Sequence, residues 1–122
     1  MRTLATFLAA AAALLAGSYA RALTIDDCEL WIGAVQTEAS SIRIAGDHAA
    51  DDRQALLHSL DQARKDGRAQ RLAGSAKGIE TFRKRAAALA TSGRVSKVEG
   101  ARLMNLGDTM QHCIEQLRAG SE

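Results

Sequence analysis

Apolar residues recur at helical intervals along most of the chain. In the first segment they alternate between steps of three and four residues: Ile25, Cys28, Ile32, Val35, Ala39 and Ile42. This spacing is typical of a helix that packs one face into a bundle. Because Thr24 can serve as N-cap and Gly46 follows the pattern, we predict a first helix over residues 25–45.

Two further segments repeat this pattern. A second helix is predicted over residues 48–66, capped by Asp47 and ended by Gly67. Its apolar side comprises Leu56, Leu57, Leu60 and Ala63. A third helix is predicted over residues 69–91, with Ser92-Gly93 as its stop. Its apolar side comprises Leu72, Ala76, Ile79, Phe82, Ala86 and Leu89.

A fourth helix is predicted to begin at Ser96-Lys97-Val98-Glu99, which matches a capping box, and to continue to about residue 117. Its apolar positions are Leu103, Leu106, Met110, Cys113 and Leu117. Short connections favour antiparallel neighbours, so the pattern predicts an all-α, up-down bundle of four helices. Three helices remain an alternative. Gly74 and Gly78 either permit close packing of the third helix or mean that it starts later.

Composition supports this fold class. The 122 residues include no proline, 3% aromatic residues and 47% hydrophobic residues. Proline is absent and alanine abundant, which favours helices, and the scarcity of aromatic residues argues against a β-sandwich or barrel.

Residues 1–22 have the features of a secretory signal peptide. A positively charged start precedes an apolar run over residues 4–16, and small residues flank the end. A membrane anchor is the alternative, but spanning a bilayer takes roughly 20 residues. Cleavage after Ala22, or after Ala20, leaves a helical domain over residues 23–122. We therefore expect export to the periplasm or secretion, with no membrane span.

The two cysteines, Cys28 and Cys113, are predicted to form a disulfide. Their number is even and an exported protein meets oxidising conditions. An up-down bundle also places the start of its first helix and the end of its fourth at the same end. A metal pair is the alternative, but His112 points to another side of the helix than Cys113, and the chain has no Cys-x-x-Cys.

Charge is unevenly distributed. Without Arg2 and Arg21 the chain has 14 basic and 14 acidic residues. Residues 23–62 contain eight acids and two bases, whereas residues 63–104 contain eleven bases and three acids. Four basic residues of the third helix are candidate partner contacts: Lys77, Arg83, Lys84 and Arg85. The alternative is that these charges complement neighbouring helices or are solvated. Nucleic acid is not expected as a partner, given export and few aromatic residues.

Trp31 is the fifth candidate contact. It lies one position off the apolar seam of the first helix. This position predicts either the edge of the core or an exposed anchor for a partner, a role in which tryptophan is enriched.

No motif for catalysis or metal binding is found. The histidines His48, His58 and His112 lack ligand spacing. The pairs Asp26-Asp27 and Asp51-Asp52 are adjacent in sequence, so each diverges around a helix and suits the helix dipole. We therefore predict no catalytic residue, no cofactor and no enzymatic activity.

The stretch Cys28-Glu29-Leu30-Trp31-Ile32-Gly33-Ala34-Val35 resembles the start of small periplasmic immunity proteins that neutralise wall-degrading effectors of type VI secretion. The resemblance implies an exported, helical, disulfide-bonded protein that binds and blocks a cell-wall amidase. The alternative function is a structural or stress-related bundle that binds unfolded chains or wall polymer. A protein partner is expected in the first case, and a homodimer stays open.

Overall fold

The computed structural model describes residues 24–121. These residues form four α-helices: α1 (Ile25–Ser41), α2 (Ala49–Arg68), α3 (Leu72–Thr91) and α4 (Lys97–Ser121). Each helix packs against the next, and α4 returns to α1, while contacts between the diagonal pairs are absent from this part of the chain. The predicted all-α bundle of four helices is confirmed. The predicted signal peptide lies outside the described residues.

The core follows the predicted apolar seams. The largest side chains that are fully buried come from all four helices: Ile32, Leu56, Leu60, Ile79, Phe82, Leu103, Met110 and Ile114. Five predicted seam residues are only partly buried and pack at the edge of this core: Ile25, Leu57, Leu72, Leu106 and Leu117. Ile114 was not predicted, although its steps of four from Met110 and three to Leu117 fit a helical seam as well as those of Cys113.

Both explanations for the third-helix glycines apply. The helix begins at Leu72, three residues later than predicted. In addition, Gly78 lies against α2 so closely that a Cβ there would be 3.0 Å from the Ala63 backbone nitrogen and 3.1 Å from its Cα. A Cβ at Gly74 would meet the carboxylate of Asp66. Because Gly74 and Gly78 have no side chain, α2 and α3 can pack this closely.

The first helix ends at Ser41, four residues earlier than predicted. Arg53 of α2 donates a hydrogen bond of 3.0 Å to the Ala39 carbonyl in the last turn, so a tertiary contact satisfies this helix end. The chain then runs extended from Ile42, and both Ile42 and Ile44 are buried. Ile42 is thus buried as predicted, but it belongs to extended backbone rather than to a helix. In extended backbone alternate residues point to the same side, so Ile42 and Ile44 both face the core.

The ends of α2 also differ from the prediction. His48, rather than Asp47, occupies the N-cap position, and its side chain makes no capping hydrogen bond. Gly67 does not end the helix but is buried in its last turn, where a Cβ would come within 2.9 Å of the Ile25 side chain. The left-handed conformation instead falls on Gln70, with φ of 64°. Glycine here serves packing rather than termination.

The predicted caps of α1 and α4 are confirmed. The Thr24 backbone N–H donates to the Asp27 carboxylate at 2.8 Å, which closes a capping box. The Ser96 hydroxyl accepts a hydrogen bond of 3.0 Å from the Glu99 N–H.

The disulfide between Cys28 and Cys113 is present, with a Cα–Cα distance of 5.7 Å. It joins the first turn of α1 to the C-terminal part of α4. Within residues 24–121, none of the helices combines the length and the apolar character that crossing a bilayer requires.

Candidate functional site

Ion pairs join the acidic first part of the chain to its basic middle part. Glu29 of α1 lies at the centre of one cluster, where Arg64 Nε is 3.0 Å and Arg68 Nε 2.6 Å from its Oε2. Arg64 also donates to Gln36 at 2.9 Å. The hydrogen bond from Arg68 lowers the pKa of Glu29 most; burial opposes this shift, and Arg64 lowers the pKa further. The cluster fastens α1 to α2.

Three more pairs link different elements. Arg102 of α4 lies 3.1 Å from Glu38 of α1, and Arg94 lies 2.6 Å from Asp52 of α2. Much of the charge asymmetry is thus complementarity between neighbouring helices. Arg83 of α3 also pairs with an acidic residue of a neighbouring helix, since it lies 2.7 Å from Asp108 of α4.

The basic side chains of the predicted cluster on α3 point in three different directions. Arg83 reaches α4, whereas Arg85 turns to α2 and donates to the Ala55 carbonyl at 2.7 Å and to the Ser59 hydroxyl at 2.6 Å. Lys84 lies 3.7 Å from Glu80 on its own helix, and its side chain is 77% exposed. Lys77 is exposed one heptad earlier. Of the four candidates, only these two lysines present their charge on the outer side of α3.

Trp31 lies on a different side of the bundle from the basic cluster. Its side chain is 46% exposed, so about half of it lies at the surface. Glu38, one heptad later on the same side of α1, pairs with Arg102, and Trp31 therefore lies on the flank of α1 next to α4. Because α1 and α3 are diagonal, the structure does not bring Trp31 together with the lysines.

Leu30 is an exposed apolar residue that the sequence reasoning missed. Its side chain is 76% exposed, more than that of Trp31. The available signal was its position off the apolar seam, which leaves a large aliphatic side chain facing solvent. Consecutive residues of a helix diverge by about 100°. Leu30 and Trp31 therefore lie on two different surfaces of the bundle.

Leu30 borders a groove that we call the α1–α2 groove. Its volume is about 610 Å³, and it is lined by Asp26, Glu29, Leu30, Gly33, Ala34, Thr37 and Arg64. A Cβ added at Gly33 would have no atom within 4 Å, so the middle of the groove is open. The Glu29–Arg64 pair forms one wall, and Leu30 projects from the α1 side. The groove thus combines Leu30 and the small residues Gly33 and Ala34 with polar groups from Asp26, Thr37 and the Glu29–Arg64 pair.

A larger groove, of about 850 Å³, follows the outer side of α2. It is lined mainly by polar and charged residues of both signs, including Asp51, Arg53, His58, Asp61 and Arg85. Arg53 and Arg85 already bond to backbone carbonyls there. Mixed charges that largely compensate one another are typical of a solvated surface.

The histidines remain apart from one another. His48 lies 3.8 Å from the Asp51 carboxylate at the start of α2, and His58 and His112 are exposed on α2 and α4. Over residues 24–121, no group of three or more His, Cys, Asp or Glu side chains converges as a metal site requires.

The comparisons with known proteins find no matching family model, no matching curated protein and no matching solved structure.

Proposed function

We propose that this chain is an exported, non-catalytic binding protein of the cell envelope that blocks a peptidoglycan-degrading enzyme, and that the enzyme docks at the α1–α2 groove. The observation that carries the proposal is Leu30, which is 76% exposed beside an open floor of Gly33 and Ala34. A projecting aliphatic side chain next to an open floor offers apolar area that a protein partner can bury.

The backbone beneath Leu30 is held on two sides. Cys28, two residues earlier, is fixed to α4 by the disulfide, and Glu29 is fixed to α2 by Arg64 and Arg68. A surface that is already ordered loses little conformational entropy when it binds. This rigidity supports a role in tight recognition of one partner rather than weak capture of many.

The disulfide also supports export, because such bonds persist mainly outside the reducing cytosol. Together with the predicted signal peptide over residues 1–22, it favours the periplasm. The stretch that resembles immunity proteins, residues 28–35, includes the Leu30, Gly33 and Ala34 that line the groove. A wall amidase is therefore the partner class that we propose.

The test is protection from lysis. The full chain is expressed with a panel of exported wall amidases, and survival is scored for wild type, Gly33→Arg, Gly33→Ala and Lys77→Glu. Gly33→Arg fills the groove without a steric conflict at Cβ, Gly33→Ala leaves it open, and Lys77→Glu changes the opposite side.

We expect wild type, Gly33→Ala and Lys77→Glu to protect against at least one amidase and Gly33→Arg to fail. Protection by Gly33→Arg would place the contact elsewhere. Protection against none of the panel, together with broad suppression of aggregation of unfolded proteins, would favour the structural or stress-related alternative.

A further inference from the structure

The outer side of α4 carries an uncharged row of exposed residues along most of its length. These residues are spaced three or four apart and include no Asp, Glu, Lys or Arg: Val98, Ala101, Asn105, Thr109, His112 and Gln116. Val98 is 79% exposed. Together with Trp31, which flanks it on α1, we call this row the α1–α4 face. It contains two of the three large apolar side chains that are exposed in the described chain.

The spacing of this row is symmetric. Asn105 and His112 are equally far from a midpoint between residues 108 and 109, and so are Ala101 and Gln116. Val98 lies as far before this midpoint as Ala119 lies after it. An antiparallel α4 from a second copy would therefore place Asn105 opposite His112 of the second copy and Ala101 opposite Gln116, while Thr109 would meet Asp108, which is paired with Arg83 of its own copy. Self-complementarity of one patch is the requirement of a two-fold dimer.

Along the helix axes, Trp31 lies at about the same level as the midpoint of the α4 row, between residues 108 and 109. The disulfide puts Cys28 level with Cys113, and the Glu38–Arg102 pair confirms the antiparallel alignment of α1 and α4. Three residues beyond Cys28 correspond to about 4.5 Å along the axis, which is the level of residue 110. A two-fold axis through the row therefore brings the tryptophans of both copies close to it. Tryptophan is enriched among the few residues near the centre of an interface that contribute most of the binding energy.

The size and charge of the face fit a second copy. Helix α4 has 25 residues, so it is about 37 Å long. With α1 at 17 residues, or about 25 Å, two helices each about 10 Å wide give on the order of 600 Å² per copy, at the lower end of the roughly 600–1,000 Å² per partner of a standard interface. Glu38 and Arg102 neutralise each other beside the face. Such a surface attracts no strongly charged partner but matches an identical neutral one.

We propose that the protein forms an antiparallel two-fold dimer through the α1–α4 face, with Trp31 at its centre. The dimer leaves the α1–α2 groove on another side of α1, and it does not depend on the proposed function. Failure of one proposal therefore leaves the other standing.

The test is analytical ultracentrifugation of the disulfide-bonded protein from 1 to 200 µM, with circular dichroism to verify folding. Wild type is expected to dimerise, and Trp31→Ala to raise the dissociation constant at least tenfold. The double variant N105K/H112K places like charges opposite each other and is expected to be monomeric. The variant N105K/H112E places opposite charges there and should dimerise within about threefold of wild type. Lys77→Glu on α3 is the matched control and should behave as wild type.

Trp31 is the only tryptophan of the chain, so its fluorescence reports directly on the interface. Dilution should shift its emission to longer wavelength over the same concentration range in which the dimer dissociates. A wild-type protein that stays monomeric at 200 µM would overturn the proposal. So would a dimer that survives both Trp31→Ala and N105K/H112K, because it would use another surface.

Discussion

Removal of the disulfide should cost this bundle a large part of its stability. Cys28 and Cys113 are 85 residues apart, and for a loop of that length the chain-entropy model gives about 4–5 kcal/mol at 25 °C. Domains of about 100 residues are stable by only about 5–15 kcal/mol. The variant C28A/C113A should therefore lose at least about a third of its stability. Because 1 kcal/mol corresponds to about 4–8 °C in a domain of this size, its Tm should fall by about 20 °C or more.

The assay is urea and thermal unfolding followed by circular dichroism at 222 nm, at pH 7. Wild type treated with a reducing agent is the matched control, because it loses the bond but keeps both sulfur atoms. Cys28 is fully buried and Cys113 is 7% exposed, so truncation to alanine adds a packing loss of about 1 kcal/mol per site. The reduced wild type should thus be about 2 kcal/mol more stable than the double variant.

Two results would refute this reasoning. A loss below about 1.5 kcal/mol in both samples would mean that the core alone holds the ends of α1 and α4 together. A reduced wild type nearly as stable as the oxidised protein, beside a strongly destabilised double variant, would assign the effect to packing rather than to chain entropy.

Two further predictions concern helix packing and pH. Gly78→Ala should destabilise the fold by about 1–3 kcal/mol in urea unfolding, although alanine favours helices, because its Cβ would meet the Ala63 backbone at 3.0 Å; unchanged stability would show that α2 and α3 can separate freely. Glu29→Gln should cost up to about 1 kcal/mol at pH 7. Since the folded-state pKa of Glu29 lies below 4.5, its contribution is present above that pH and is lost as the pH falls through the lowered value. The two stability curves should converge at low pH, and a constant gap would contradict the ion pair with Arg68.

Periodicity predicted the fold well where packing decides the structure. The seam of Cys28, Ile32, Val35 and Ala39 is buried as predicted, because a helix must bury one continuous face. The end of α1 was not predicted, because it depends on Arg53, which reaches it from another helix. Sequence spacing cannot reveal a cap that arrives from a distant part of the chain.

The candidate contacts were less predictable than the core. Arg83 and Arg85 form one basic run in the sequence, yet they turn to opposite neighbours, Asp108 and Ser59. A charge run does not indicate which side chains find partners across helices. Leu30 was missed although its position opposite the apolar seam of α1 indicated exposure to solvent. The disulfide was predictable because parity, compartment and topology pointed to the same pair.

The proposed groove can be tested most directly by titration calorimetry with a wall amidase that the chain blocks. The variants Gly33→Ala and Gly33→Arg differ in whether the open space at Gly33 is filled and in the positive charge that arginine adds. We predict one-to-one binding by wild type, affinity within about threefold for Gly33→Ala, and a loss of at least about a hundredfold for Gly33→Arg, equivalent to about 2.7 kcal/mol. Equal affinity for Gly33→Ala and Gly33→Arg would contradict the assignment of the α1–α2 groove as the site that engages the enzyme.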